Sequence, residues 1–165
     1  MVKSITLDRK DRRILETLQR DGRIANVDLA KQVGLSPTPC LERVRRLEKD
    51  GFIRGYVALV DAQKLNSATI AFIQVSLTST ASADLRAFNR AMLALPEVEG
   101  CHMVAGGFDY LLKVRCADMN AYKQFLGEQL AIISLIEQTH TYVVIEEVKA
   151  KTEVSLANLP PLQRP

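Results

Sequence analysis

The sequence is poor in the groups on which most catalytic and metal chemistry depends. Its 165 residues include three cysteines and two histidines. Cys40, Cys101 and Cys116 are odd in number, widely spaced and set in periodic apolar segments. That pattern excludes a disulfide framework and a clustered metal site, and reads as small core residues of a reduced, cytoplasmic protein. His102 and His140 fall on predicted strands, with no Ser or Cys at a nucleophile spacing. Phosphate loop, zinc spacing and dinucleotide fingerprint are all missing, so neither an enzyme nor a cofactor is expected. No apolar run approaches the roughly 18 residues that span a bilayer, and the opening Met-Val-Lys-Ser-Ile-Thr-Leu-Asp lacks the apolar stretch of a signal peptide. No membrane partner is expected.

What remains is an ordinary globular composition, 47% hydrophobic and 25% charged. The length allows one domain or two small ones, each near the lower limit for a self-sufficient core, which favours oligomerisation. The net charge of +3 is unevenly spread: residues 1–61 carry 13 Lys+Arg against 9 Asp+Glu, residues 62–165 carry 9 against 10. A cationic front suggests a polyanionic partner for that part.

Three helices are predicted in residues 1–61. Asp8 and Asp11 form a variant capping box ahead of Ile14, Leu15 and Leu18, giving a helix from about Asp8 to Arg20. Asn26 is read as the cap of a second helix ending at Val33, with Gly34 as its stop. Ser36 is read as the cap of a third, with Pro37 at its first position and Gly51 beyond its end. Leu41, Val44 and Leu47 form its apolar stripe. Only Gly34 and Leu35 separate the last two helices, the spacing of a helix-turn-helix. In that motif the third helix enters the major groove of double-stranded DNA. Ser36, Thr38, Pro39 and Arg43 are placed toward base edges, with Arg45, Arg46 and Lys49 toward phosphates. Residues 52–60 are aromatic and β-branched and are predicted to be a strand, either a wing or a tether.

Residues 62–149 read as a second domain after a polar linker, with 150–165 as a tail. Strands are predicted at 69–77, 99–105, 108–116 and 139–148. Helices follow the first strand (83–95, with Leu85, Phe88 and Met92 inward) and Asp118 (with Met119, Tyr122, Phe125 and Leu126 inward). The order βαββαβ is that of a ferredoxin-like sheet with both helices on one face, and the fold class is α+β. The open face calls for a partner surface, most economically a second copy. Gly106 and Gly107 suit either a plain hairpin with a solvated Asp109, or an anion-binding turn with Asp109 beside it as an ammonium acceptor. Two readings compete with DNA binding: an RNA-binding module on the open sheet, and a small-molecule sensor whose helical front docks to protein.

The runs Leu7-Asp8-x-x-Asp11-x-x-Ile14-Leu15-x-x-Leu18-Gln19-x-Asp21-Gly22-Arg23, Val33-Gly34-Leu35-Ser36-Pro37-Thr38-Pro39-Cys40-Leu41-x-Arg43-Val44-x-x-Leu47-Glu48 and Gly106-x-Phe108-Asp109-Tyr110-Leu111-Leu112 resemble the Lrp/AsnC family, the leucine-responsive regulators and their asparagine-regulator relatives. The resemblance covers about residues 5–149 and is nearest to the leucine-responsive branch. It implies a winged-helix-like DNA-binding domain, transcriptional regulation of amino-acid metabolism, and dimers assembling into tetramers or octamers. It also implies a small amino-acid effector bound between C-terminal domains, at Gly106, Gly107, Phe108, Asp109 and Tyr110 with Thr139 and Thr141. The chain departs from that branch at Gly107, usually acidic there, and at Ile133-Ser134-Leu135-Ile136, usually Leu-Pro-Gly-Val.

Overall fold

A computed structural model describes residues 7–156, so residues 1–6 and the last nine of the expected tail lie outside it. The chain divides into two compact units at Leu59/Val60 and again at Lys149/Ala150, with the segment after 150 grouped with the N-terminal helices.

The first unit is built on α1 (Arg9–Arg20), α2 (Asn26–Val33) and α3 (Pro37–Lys49). Asp8 caps α1 in a full capping box: its carboxylate accepts the Asp11 N–H at 2.8 Å, and the Asp11 carboxylate accepts the Asp8 N–H at 3.1 Å. Both later helices end in Schellman turns that need a left-handed residue. Gly34 (φ 67°) and Gly51 (φ 76°) supply it, while Leu35 and Phe52 donate back to Ala30 and Leu47, each at 2.9 Å. Lys10 adds a cation at the end of α2, its Nζ donating to the Val33 and Gly34 carbonyls at 2.6 and 3.0 Å.

Two expected caps take other forms. Ala25 is the cap residue of α2, and Asn26, already helical, donates instead to the Pro37 carbonyl at 2.9 Å, bracing the turn into α3. Ser36 is the cap residue of α3 but makes no side-chain cap bond. A capping hydroxyl accepts from the second or third N–H of the helix, and the third residue here is Pro39, which has none. The buried stripe of α3 also shifts: Cys40 and Leu47 are fully buried, Val44 is half-buried and Leu41 is exposed. The core is small, with Ile14, Leu15, Leu29, Ala30 and Val33 facing Cys40 and Leu47, and Leu156 returning from the far end of the chain to join it. Gln19 brackets that return, donating to the Val154 carbonyl and accepting the Val154 N–H at 3.1 and 2.6 Å.

Residues 52–60 do not form the expected strand. Phe52 and Ile53 pack on the helical core and Tyr56 donates to Glu48 at 2.9 Å, but Val57, Leu59 and Val60 are exposed and no neighbouring strand pairs with them among the described residues. β-branched composition makes a strand only where a partner accepts its backbone groups.

The second unit is an antiparallel sheet in the order β2-β3-β1-β4, from β1 (Thr69–Leu77), β2 (Val98–Met103), β3 (Tyr110–Cys116) and β4 (Ile136–Val143). Helix α4 (Ser82–Leu93) links β1 to β2, and α5 (Met119–Gln124) runs into a π-helical turn, Phe125–Leu130, before β4. This is the ferredoxin-like arrangement expected. Strand limits follow the partners rather than composition: β4 starts three residues early because Ile136 pairs with Leu77 through a bulge, and stops at Val143 opposite Ala71. The helix-covered face buries Ala71, Ile73, Val75 and Leu77 of β1 and Tyr110, Leu112, Val114 and Cys116 of β3 against Phe88, Met92, Tyr122, Phe125 and Leu130. Met119, expected inward, is exposed.

Candidate DNA-binding and effector sites

On α3 the position of each cation follows from its rotation about the helix axis. At 100° per residue, Arg45 lies about 160° from buried Leu47, Arg46 about 100° and Arg43 only about 40°. Thr38, Glu42, Arg45 and Lys49 therefore form a ridge directed away from the core, and all four are exposed, as are Ser36 and Pro39. Arg43, expected at the bases, turns inward. Its Nη1 reaches the carboxylates of Asp8 at 2.5 Å and Asp11 at 2.8 Å, and Arg46 Nη2 pairs with the other Asp11 oxygen at 2.6 Å. Asp11 is 1% exposed, the buried charged side chain of the described residues. At Asp8 partial burial works against the charged form, but the Asp11 N–H and the Arg43 guanidinium outweigh it and hold the carboxyl below its ordinary value. Neither Arg45 nor Lys49 has an ion pair among the described residues. Four residues before a core leucine is again the core side of a helix.

In the second unit, β2 and β3 pair as a hairpin that carries the expected Gly106 and Gly107 in a longer loop, residues 104–109. That loop is closed by Val104 N–H on the Asp109 carbonyl at 2.9 Å and by Asp109 N–H on the Val75 carbonyl at 3.0 Å. Gly106 and Gly107 are exposed with open space about their α-carbons, and neither has the positive φ of an anion-binding nest. Phe108 is half-buried. Asp109 has one oxygen committed, Oδ2 accepting the Leu77 N–H at 2.7 Å at the end of β1. Tyr110 is in the core, its ring 4.5 Å from that of Phe88.

Thr139 pairs with Val75 and lines an open cleft of about 210 Å³ with Leu126, Leu130, Ala131, Ile136, Glu137 and Gln138. Thr141, two residues on, is tied to the Tyr122 hydroxyl at 2.6 Å. The loop and Thr139 thus share one end of the sheet, yet β1 runs between them, which sets them roughly 10 Å apart at two strand spacings. The sequence missed the apolar wall of this cleft because it comes from the π-helical turn, where the Ala131 N–H bonds five residues back to Leu126.

On the open face the cations of β3 are already paired. Lys113 and Arg115 of β3 are both held by Glu99, and Lys113 also by Glu147 at 3.5 Å. Burial disfavours the charged form of Glu99, but Arg115 and Lys113 outweigh it and lower its pKa. Among the described residues there is no helix long and apolar enough to cross a membrane.

A helix-turn-helix unit with an outward cationic ridge, joined to a ferredoxin-like sheet with a cleft, defines a ligand-responsive DNA-binding regulator. Residues 7–54 match the winged helix-turn-helix DNA-binding family and residues 70–154 the Lrp/AsnC ligand binding domain. The leucine-responsive regulatory proteins of Salmonella typhimurium and Escherichia coli are 54% identical over 143 residues, 87% of either chain. Among solved structures, a transcriptional regulator of Neisseria meningitidis in complex with L-Met superposes with a TM-score of 0.88 at 37% identity, over 92% of this chain and 98% of that one. An AsnC family regulator of Agrobacterium tumefaciens gives 0.87 at 39%, over 90% and 97%. The chain belongs to the Lrp/AsnC family: it is a DNA-binding transcriptional regulator with an amino-acid-binding domain. The RNA-module and protein-docking alternatives are not favoured.

Proposed function

We propose that this cytoplasmic regulator lays the outer side of α3 in the major groove of double-stranded DNA, with Ser36, Thr38 and Pro39 toward the bases and Arg45 and Lys49 on phosphates. The exposed ridge of Thr38, Arg45 and Lys49 carries this reading. Salt-titrated binding to duplex DNA tests it. Arg45→Gln and Lys49→Gln should each reduce the slope of log affinity against log salt by about 0.9. Unchanged slopes would remove both residues from the interface.

The effector is a small amino acid, as the L-Met held by the Neisseria regulator suggests. Its site is the sheet end shared by Gly106, Gly107, Phe108, Asp109 and Thr139. The cleft beside Thr139 is smaller than the roughly 300–1,000 Å³ of most ligand pockets and open on one side, so a second copy of the chain completes it. Phe72 and Tyr142 stand side by side on the open sheet face, 36% and 55% exposed, and provide apolar contact for a dimer that associates further into tetramers or octamers. Thermal-shift screening against the twenty amino acids identifies the effector. Asp109→Asn keeps an acceptor for the Leu77 N–H and removes the charge. It should abolish the shift while leaving DNA affinity intact; a normal shift would take the ammonium-binding role from Asp109.

A further inference from the structure

The proposed interface leaves two arginines of α3 unused, and their partners on α1 give them a different task. Asp11 is 1% exposed and has both oxygens occupied: Oδ1 by Arg43 at 2.8 Å, and Oδ2 by Arg46 at 2.6 Å and the Asp8 N–H at 3.1 Å. Asp8 takes a second contact from Arg43 at 2.5 Å. Two carboxylates at the start of α1 thus grip α3 at two points one helical turn apart. Leaving the buried Asp11 carboxylate without its arginines is costly, although the arginines themselves are partly exposed.

We propose that Asp11, supported by Asp8, is a positioning residue for DNA recognition: it withdraws Arg43 and Arg46 from the cations that α3 offers to DNA and fixes the rotation at which Thr38, Arg45 and Lys49 meet the groove. The two effects reinforce each other. Arginines next to a groove bind any phosphate, so removing two of them lowers sequence-independent affinity more than specific affinity. A helix held by two bonds at one rotation keeps its first turn at one set of base edges.

The inference rests on the DNA-binding reading above, and salt-titrated binding of the full chain to duplexes with and without its operator separates the two. In the native protein Arg46→Gln should leave the salt slope unchanged, because Arg46 is already neutralised, while Arg45→Gln lowers it by about 0.9. In an Asp11→Asn background the native slope should steepen by about 1 to 2, the ratio of operator to non-operator affinity should fall, and Arg46→Gln should now lower the slope by about 0.9. A purely structural ion pair would move melting temperature and leave these slopes alone. Arg46→Gln reducing the slope of the native protein as much as Arg45→Gln does would overturn the proposal. Should Asp11→Asn fail to fold, Asp8→Asn, which keeps a capping acceptor, should steepen the slope by up to about 0.9 through Arg43, and no change would again overturn it. A native protein without salt-dependent duplex binding would instead reject the DNA-binding reading itself.

Discussion

Asp8 links the fold of the first unit to pH. Its carboxyl is held below the ordinary value of 3.8 in the folded chain, so the charged form favours folding. A depressed carboxyl contributes stability above its unfolded pKa and loses it as pH falls through the lower folded value. The first unit should therefore become less stable to heat as pH is taken below about 4, and Asp8→Asn should flatten that dependence. Far-UV circular dichroism melts across the acid range at low salt give the comparison, because the pair is half-exposed and screening weakens it. Reading the sequence located this carboxylate by its capping pattern but not its second partner. A contact between residues 8 and 43 depends on how two helices cross, and periodicity along either helix does not contain it. The inward turn of Arg43 has a simpler source, since its distance from Leu47 sets it on the inner side of the helix.

The elements most legible in the sequence were those whose local signals and packing agree. The first helix and its cap, Thr69–Leu77 as a strand and Phe88 and Met92 as the inner face of α4 all appear as expected. The failures are segments whose structure depends on something distant. Residues 52–60 have strand composition and no partner among the described residues; the π-helical turn spreads the cleft wall over residues that a 3.6-residue period does not align. The segment after residue 150 is the third case. Nothing local marks Leu156 as a core residue, yet it is 8% exposed in the cluster of buried side chains from the three helices and secured by the Gln19 bracket at Val154. In so small a core one leucine matters. Leu156→Ala should cost the first unit about 1 to 3 kcal/mol, measured by urea unfolding, and an unchanged midpoint would show that the segment rests on the unit without stabilising it.

For the molecule as a whole, two units with separate cores place the two activities in different hydrophobic contexts. The helical unit depends on few buried side chains and on ion pairs; the sheet unit has the larger core and the Phe88–Tyr110 contact at its centre. Any coupling between effector and DNA requires the effector to bind two states of the protein with different affinity. Effector binding should accordingly change the salt-dependent DNA affinity of the protein and the effector affinity of the DNA-bound form by the same factor. Paired titrations, each in the presence of the other ligand, give the two factors directly.

The three cysteines turn this division into something that can be timed. Cys40 lies in the helical core, Cys116 in the sheet core and Cys101 half-buried on β2, and burial raises the pKa of each thiol. A thiol reacts as its thiolate and only when a reagent reaches it, so alkylation of a buried cysteine counts the openings of the core around it. Cys101 should be labelled first, and Cys40 and Cys116 should then run as independent clocks, one for each unit. Loosening the Leu156 contact should speed the Cys40 clock alone, and an effector that stiffens the sheet should slow only that of Cys116. The native chain thus carries its own reporter of which half a ligand has steadied.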